Sequence, residues 1–546
     1  MLALLGVLVL VFAYQATRTA LALRQARAEV AQVRAQVLRG DVADARRTAK
    51  ELAEHASTAH DSSDGILFDV ASKLPFVGDD VEAVQLISSS LDRLSQDALP
   101  VGLDLVSTVR AGRLQDDDGR FDLALIRRLA PKVSRAAAST AAAERALSPI
   151  DPDGLVSPVG KAAREVQERV AQLDSGVSSA DAATRLLPDM LGGKGARNYL
   201  LVVQNNAEIR STGGLPGSLS ILRADDGRLQ LGFRGSATDF PPLPRPVLPL
   251  TAGELDIYGP AMGKDVRDTN LTPDFPRTGQ LLSAIVAQGR GQKLDGVVSV
   301  DPVALSQVLR ATGPVKVGTE TFNTSNVVAK LLNESYQRLP TQEAQNAYFA
   351  SASQDIFNTL LSGRVSEQAV VRRLGEGVRQ RRVLVWSRDS KEQQILESSG
   401  ISGRLPRATG AAPHVGVYVN DAKGSKMEYF LRYRGDVKSL GCAANGSQTM
   451  QTSMSFTSQA PRGGAGLSDT VAGYSTPTTR GDMKLRVQIY APMGGALTGL
   501  SVNGNRASVG VGVHDGRRVF VLPMVLKPGQ RTTVDALFRS APGQDQ

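Results

Sequence analysis

Between Asn198 and Leu222 the chain reads NYLLVVQNNAEIRSTGGLPGSLSIL, a stretch dense in groups that could do chemistry. An apolar run, Tyr199 to Val203, opens onto Gln204, Asn205, Asn206, Glu208 and Arg210. A Thr212-Gly213-Gly214 turn and a second apolar strand follow. Amide, carboxylate and guanidinium groups at a strand end, beside paired glycines, are what α/β folds use to build ligand sites. Later segments add to the set. Arg234 closes a strand in GFRGSATDFPP, and Asp239 follows it. Asn270 and Asp274 lie in NLTPDFP, with Arg277 just beyond, where the N-terminus of a helix would favour an anion. Carboxylate oxygens suit Mg²⁺, and arginine forks suit phosphate oxygens. The set is read as a site for a divalent cation and a pyrophosphate. Arg210, Arg234, Asp239 and Asp274 take the catalytic roles, and Asn205, Asn206, Glu208, Asn270 and Arg277 bind the ligand. Glu208, Asp239 and Asp274 are the expected Mg²⁺ ligands. A plainer alternative stands beside this one: the asparagines shape a loop, Asp274 caps a helix, Arg210 pairs with Glu208 and Asp239 bends a loop.

Other chemistries find less support. Cys442 is the only cysteine, so an intrachain disulfide, a CxxC zinc site and dithiol redox chemistry are excluded. His55, His60, His414 and His514 are dispersed and give no metal spacing and no obvious Ser-His-Asp triad. Gly192-Gly193-Lys194-Gly195 lacks the spacing and the trailing Ser or Thr of a phosphate-binding loop and reads as a hinge. A net charge of +9 suits anionic partners such as phosphates, acidic wall polymer or a membrane surface. Nucleic acid is not expected, because there is no polybasic run and aromatics are only 5% of the chain. Arg372, Arg373, Arg379, Arg381 and Arg382 read as solvated helix charges rather than a polymer-binding patch.

The elements that must position these residues fall into four segments within 546 residues. Residues 1–23 are an apolar transmembrane anchor, with a cleaved signal as the alternative, because Leu2 to Thr17 carries no charge. No basic residue precedes this run, so a basic tail upstream of the given start is expected. Residues 24–190 read as a helical stalk or bundle, opening with one helix over 18–60 that would reach about 60 Å. Breaks are expected at Pro75, Pro100, the Asp116-Asp117-Asp118-Gly119 turn and Pro149 with Pro152. Residues 195–437 read as an α/β domain with a mixed sheet, including an Asp226-Gly227 hairpin. Residues 438–546 carry short strands between Gly, Pro and Asn turns, the pattern of an immunoglobulin-like β-sandwich. The fold class is multidomain α+β.

The element from Gln204 to Ser218 resembles the bacterial family known only as domain of unknown function 4012, with its QNNAE-[LI]-R-x-TGG-x-x-GS pattern. The resemblance extends to NLTPDFP (270–276), DGVVSVDPVAL (295–305), ATGPV (311–315) and VNDAKGSKMEYFL (419–431), and covers roughly residues 20–540. More distantly, the order of elements is similar to the LytR-CpsA-Psr family, extracytoplasmic enzymes that move glycopolymers from a polyprenyl-pyrophosphate lipid to the wall. KLDGVVSVDPVALSQVLRATGPVKV (293–317) matches one of that family's elements in length and pattern. Arg234 would then fall at the family's motif arginine, and Asn270 at its loop asparagine. Gly235 stands where that family has an aspartate, and no lysine lies two residues before Asn270.

The resemblance implies a membrane-anchored phosphotransferase or ligase outside the cytoplasmic membrane, acting on polyprenyl-linked glycopolymer. The alternatives are a noncatalytic envelope scaffold that grips wall glycan or lipid-linked sugar, and a purely structural spacer.

Overall fold

The apolar run that opens the chain forms helix α1 (Leu2–Arg39). Its Val7, Val9 and Leu10 are 55%, 59% and 71% exposed, unlike the side chains of a core helix. Among the described residues it is the helix long and apolar enough to cross a membrane, over Val7–Arg39. The computed structural model describes residues 2–111, 114–116, 118–361, 367–406, 412–473 and 480–544.

The single helix expected over 18–60 is two. The chain reverses at Gly40, whose φ of 102° is the left-handed region that glycine enters without a Cβ penalty. A Cβ there would lie 2.1 Å from the Arg110 guanidinium, which donates to the Val37 carbonyl at 2.7 Å. Helix α2 (Val42–Ser63) then packs back along α1 through Ala45, Ala49 and Leu52, so the long rod becomes a helical hairpin. After α3 (Ile66–Ala71), helix α4 (Gly78–Arg110) runs through Pro100 instead of stopping there. A proline inside a helix costs a backbone hydrogen bond, but the buried stripe Ile87, Leu94, Ala98 and Leu103 continues across it. Helices α5 (Leu123–Leu147) and α6 (Ser157–Met190) complete the bundle, whose core includes Leu94, Ala143, Leu147 and Val170.

A second compact unit covers 196–546, the division falling after Gly195. Its first sheet has the order β3-β2-β1-β4-β7. These are β1 (Arg197–Arg210), β2 (Gly213–Asp225), β3 (Arg228–Ser236), β4 (Gly296–Val300) and, beyond the short hairpin β5 (Val315–Val317) and β6 (Glu320–Phe322), β7 (Leu384–Ser387). The pair β1–β4 is parallel and the other neighbours are antiparallel, so the sheet is mixed. Asp226 and Gly227 form the two-residue turn between β2 and β3. Helices α7 (Ala252–Tyr258) and α8 (Phe275–Arg290) precede β4, and α9 (Pro302–Thr312) follows it. Phe275, Leu282 and Ile285 of α8 pack with Leu200, Val297 and Trp386 of the sheet. Helices α10 (Val327–Ala329), α11 (Ser335–Arg338), α12 (Gln342–Leu361), α13 (Glu367–Arg379) and α14 (Ser390–Ser398) complete this part.

Two further sheets follow. One is β13-β12-β16-β10-β9 and the other β14-β15-β11-β8. Their strands are β8 (Gly416–Asp421), β9 (Leu431–Cys442), β10 (Gln448–Ser458), β11 (Met483–Tyr490), β12 (Ala496–Val502), β13 (Asn505–Arg506), β14 (Gly510–His514), β15 (Arg517–Leu526) and β16 (Arg531–Arg539). Met454, Phe456 and Phe538 of one sheet share a core with Val487, Ile489 and Leu522 of the other. The expected boundary at 437 falls inside β9, which pairs with β10 from Leu431 to Cys442. Residues 416–421 and 431–442 are strands, the second entered through a 3-10 turn at Met427–Phe430. Their ladder partners are β11 and β10, so they belong with the C-terminal strands.

Candidate ligand site at the end of strand β1

Strand β1 leaves regular pairing where its polar cluster begins. Its register against β2 shifts between Val203 and Gln204 and again between Asn205 and Ile209. Such bulges re-aim side chains out of the pleat. Asn205 Oδ1 accepts from the Ala207 amide at 3.0 Å, and its Nδ2 donates to the Tyr336 hydroxyl at 2.7 Å. Strand β2 passes hard against this bulge. A Cβ on Gly214 would fall 2.2 Å from the Asn205 carbonyl oxygen, which explains the second glycine of the Thr-Gly-Gly turn.

The motifs singled out in the sequence meet here. Gln204 Oε1 accepts from the Gly214 amide at 2.7 Å. Asn270 Nδ2 donates to the Gly214 carbonyl at 2.7 Å and to Thr212 Oγ1 at 3.1 Å. Ser211 Oγ donates to the Leu271 carbonyl at 2.7 Å, and its amide donates to Asn420 Oδ1 at 2.9 Å. Asp301 accepts from Asn206 Nδ2 at 3.0 Å and from Arg382 at 2.6 Å, while its other oxygen caps α9 through the Ala304 amide at 2.7 Å.

Beneath these contacts lies a buried ionic network. Arg210 is 3.1 Å from Glu208, 3.7 Å from Asp268 and 3.8 Å from Asp421. Lys426 binds the other oxygen of Glu208 and lies 5.5 Å over the Tyr336 ring. Burial acts to raise the Glu208 carboxyl, but the charges of Lys426 and Arg210 overcome it and hold the acid below its usual range. Asp421 goes the other way: burial and then the Glu208 charge raise it, against Arg210 and the amides of Lys423 and Gly424. Glu428 is raised well above the glutamate range by burial, with Asp421 and Glu208 adding repulsion.

The remaining expected site residues go elsewhere. Arg234 stands exposed on edge strand β3, bonded to Gln354, and does not pair with Arg210. Asp239 closes a capping box, accepting from the Ser236 amide at 2.9 Å. Asp274 is buried and accepts from the Leu405 amide at 2.9 Å, and burial raises its carboxyl. Arg277 forks onto Glu254 at 2.7 and 3.0 Å and bonds the Pro249 carbonyl at 2.6 Å. The expected Mg²⁺ trio of Glu208, Asp239 and Asp274 is dispersed among these roles. Among the described residues no three His, Cys, Asp or Glu side chains come together to hold a metal. Glu208 serves two cations, Asp239 a cap and Asp274 a backbone amide, so these three do not form one Mg²⁺ site.

A cavity of about 460 Å³ lies beside the network. Asn206, Thr212 and Asp301 line it from the first sheet's loops, and Glu428, Arg432 and Tyr433 from the start of β9 and the turn before it. Arg381, Arg382 and Tyr418 also face it. By composition Arg381 and Arg382 read as solvated helix charges. They follow the last turn of α13, and Arg382 is drawn to Asp301. The one signal that could have separated them is that both stand after the end of the helical run.

Residues 194–336 match the model of the family described as Protein of unknown function (DUF4012). The family resemblance of the sequence is thus shown over that segment, which holds β1, Asn270 and Asp301; the 419–431 element lies beyond it. Comparison with curated proteins gives no match.

Proposed function

We propose that this chain is a single-pass protein of the cell envelope that binds a glycan, wall-borne or lipid-linked, and acts as a scaffold. Helix α1 is its anchor, and residues 25–546 lie outside the cytoplasmic membrane. The cavity carries this reading: tyrosine faces, guanidinium groups and amide and carboxyl oxygens border one open space, a mixture suited to sugars and anions. By contrast, Arg210, Asp274 and Arg277 are occupied by contacts that hold the fold together. Tyr433 and Val437, each 58% exposed, share one face of β9 by the alternation of a strand. That face is an apolar strip starting at the cavity, where the first carbons of a lipid tail would rest. The strands from β8 to β16 are read as an immunoglobulin-type sandwich, a module that more often holds or binds than catalyses.

The test is mass spectrometry of lipid co-purified with the full chain in detergent, together with retention on purified wall glycan. A lipid-linked sugar or wall retention is expected; neither, in protein that is folded, overturns the reading. A phosphotransfer reading, as in the LytR-CpsA-Psr enzymes, draws on Arg381, Arg382 and Arg432 at the same cavity. Release of polyprenyl phosphate from a lipid-linked glycan by the purified chain would favour it.

A further inference from the structure

We infer that the cavity takes an acidic saccharide, whose hydroxyls donate to Glu428 and Asn206 while its phosphate or carboxylate meets Arg381 and Arg432. This names the ligand class of the site proposed above and rests on that reading.

The first observation is a set of unused acceptors. Glu428 is 5% exposed and lines the cavity, yet no other described residue donates to either of its carboxyl oxygens. Asn206 spends its amide nitrogen on Asp301, and its buried Oδ1 has no partner among the described residues. A buried acceptor left unpaired forfeits the water it gave up, and native structures seldom tolerate several at one place. A ligand bearing several adjacent donors would satisfy them. Burial pushes the Glu428 carboxyl well up, towards its protonated form, and that form offers one donor as well as an acceptor. A sugar hydroxyl, which both gives and accepts, matches that pattern; an ammonium does not.

The second observation concerns the guanidinium groups. Arg381 and Arg432 are exposed, border the same cavity and form no ion pair among the described residues. Arg381 holds φ at 55°, in the left-handed region where glycine or asparagine would sit with less strain. Keeping arginine there makes sense if its side chain has work at the cavity. Tyr418 and Tyr433 add aromatic surface with polar tips.

The experiment is calorimetric titration of the full chain in detergent with glucose, glucose 1-phosphate, glucuronic acid and inorganic phosphate. At least one acidic sugar should bind tenfold or more tighter than both glucose and phosphate, and which one wins assigns the anion. Glu428→Leu and Arg381→Gly should each weaken that binding at least tenfold. Glu428→Gln, which keeps a donor and an acceptor, should stay within about threefold of wild type. Arg381→Gly is the safeguard against misfolding, because glycine takes that backbone conformation freely. Equal affinity for glucose or for phosphate, or no effect of Glu428→Leu, would overturn the inference. If wall or lipid-linked glycan still binds in that case, the scaffold role survives without it. If no glycan binds at all, both fall.

Discussion

Glu208 and Arg210 lie two residues apart on one strand, and their pairing is what an arginine beside a carboxylate does by default. Lys426 makes the arrangement unusual, because it brings a second cation into the same buried place. Removing one partner of a buried pair strands the other, a change that typically costs about 3–5 kcal/mol. Lys426→Met should therefore destabilise the second unit by roughly that amount, lessened to the extent that Arg210 still serves Glu208. Trp386, the only tryptophan and buried on β7, gives the fluorescence signal for a denaturant titration. An unchanged midpoint would mean that the network contributes nothing. Glu428 makes a second, pH-dependent prediction. Its folded-state carboxyl titrates above the unfolded value of 4.5, so the folded state keeps the proton longer. Stability from this group is full below the unfolded value and is lost as pH rises towards the folded one. Glu428→Gln should match wild type at about pH 4 and exceed it at about pH 8. A variant less stable than wild type at the higher pH would show that the carboxylate is ionised and partnered.

At the scale of elements, the end of β1 is organised by the turn that follows it. Gly214→Ala would push a methyl to 2.2 Å from the Asn205 carbonyl, and the contact is backbone on both sides, with no flexible side chain to yield. Overpacking of this kind costs about 1–3 kcal/mol or more, read as a lower unfolding midpoint and less soluble protein. Arg381→Gly acts in the opposite direction. Relieving a left-handed non-glycine residue should stabilise the fold by about 1 kcal/mol while ligand binding falls. A variant that loses stability would show that the guanidinium holds the α13 turn in place. How much of this was legible in the sequence differs by element. Periodicity and turn chemistry located β1, β2, β3, the start of α8 and the Asp226-Gly227 hairpin, because strand alternation and a two-residue turn are written in neighbouring residues. The reversal at Gly40 and the passage of α4 through Pro100 were not legible, since distant packing decides both. Asn205, Asn206, Glu208, Arg210 and Asn270 do converge with the Thr-Gly-Gly turn. Arg234, Asp239 and Asp274 do not, because following a strand does not fix which loop a side chain meets. Lys426 and Glu428 lie more than 200 residues beyond β1, and only folding reveals that they join its end.

At the scale of the whole molecule, two forces could hold the chain at a membrane, and they can be separated. One is the net charge of +9, which would attract an anionic surface. The other is α1, apolar and largely unburied over its most hydrophobic stretch. Attraction between surface charges is screened within about 3 Å at 1 M salt, whereas burial of an apolar helix in lipid is not weakened by salt. The chain should therefore stay with the membrane fraction through a wash at about 1 M salt and come off only with detergent. Deleting residues 2–23 should release the remainder even at low salt. Release of the intact chain by salt alone would make the association electrostatic and end the anchor reading. Orientation needs its own measurement, because Arg18, Arg24 and Arg27 follow the apolar stretch and would by themselves favour the cytoplasmic side. A large folded portion can be translocated despite such a bias. A reporter joined after Gln546 should therefore be active only outside the cytoplasmic membrane. Activity confined to the cytoplasm would place the cavity away from any wall glycan and would overturn the envelope reading together with the topology.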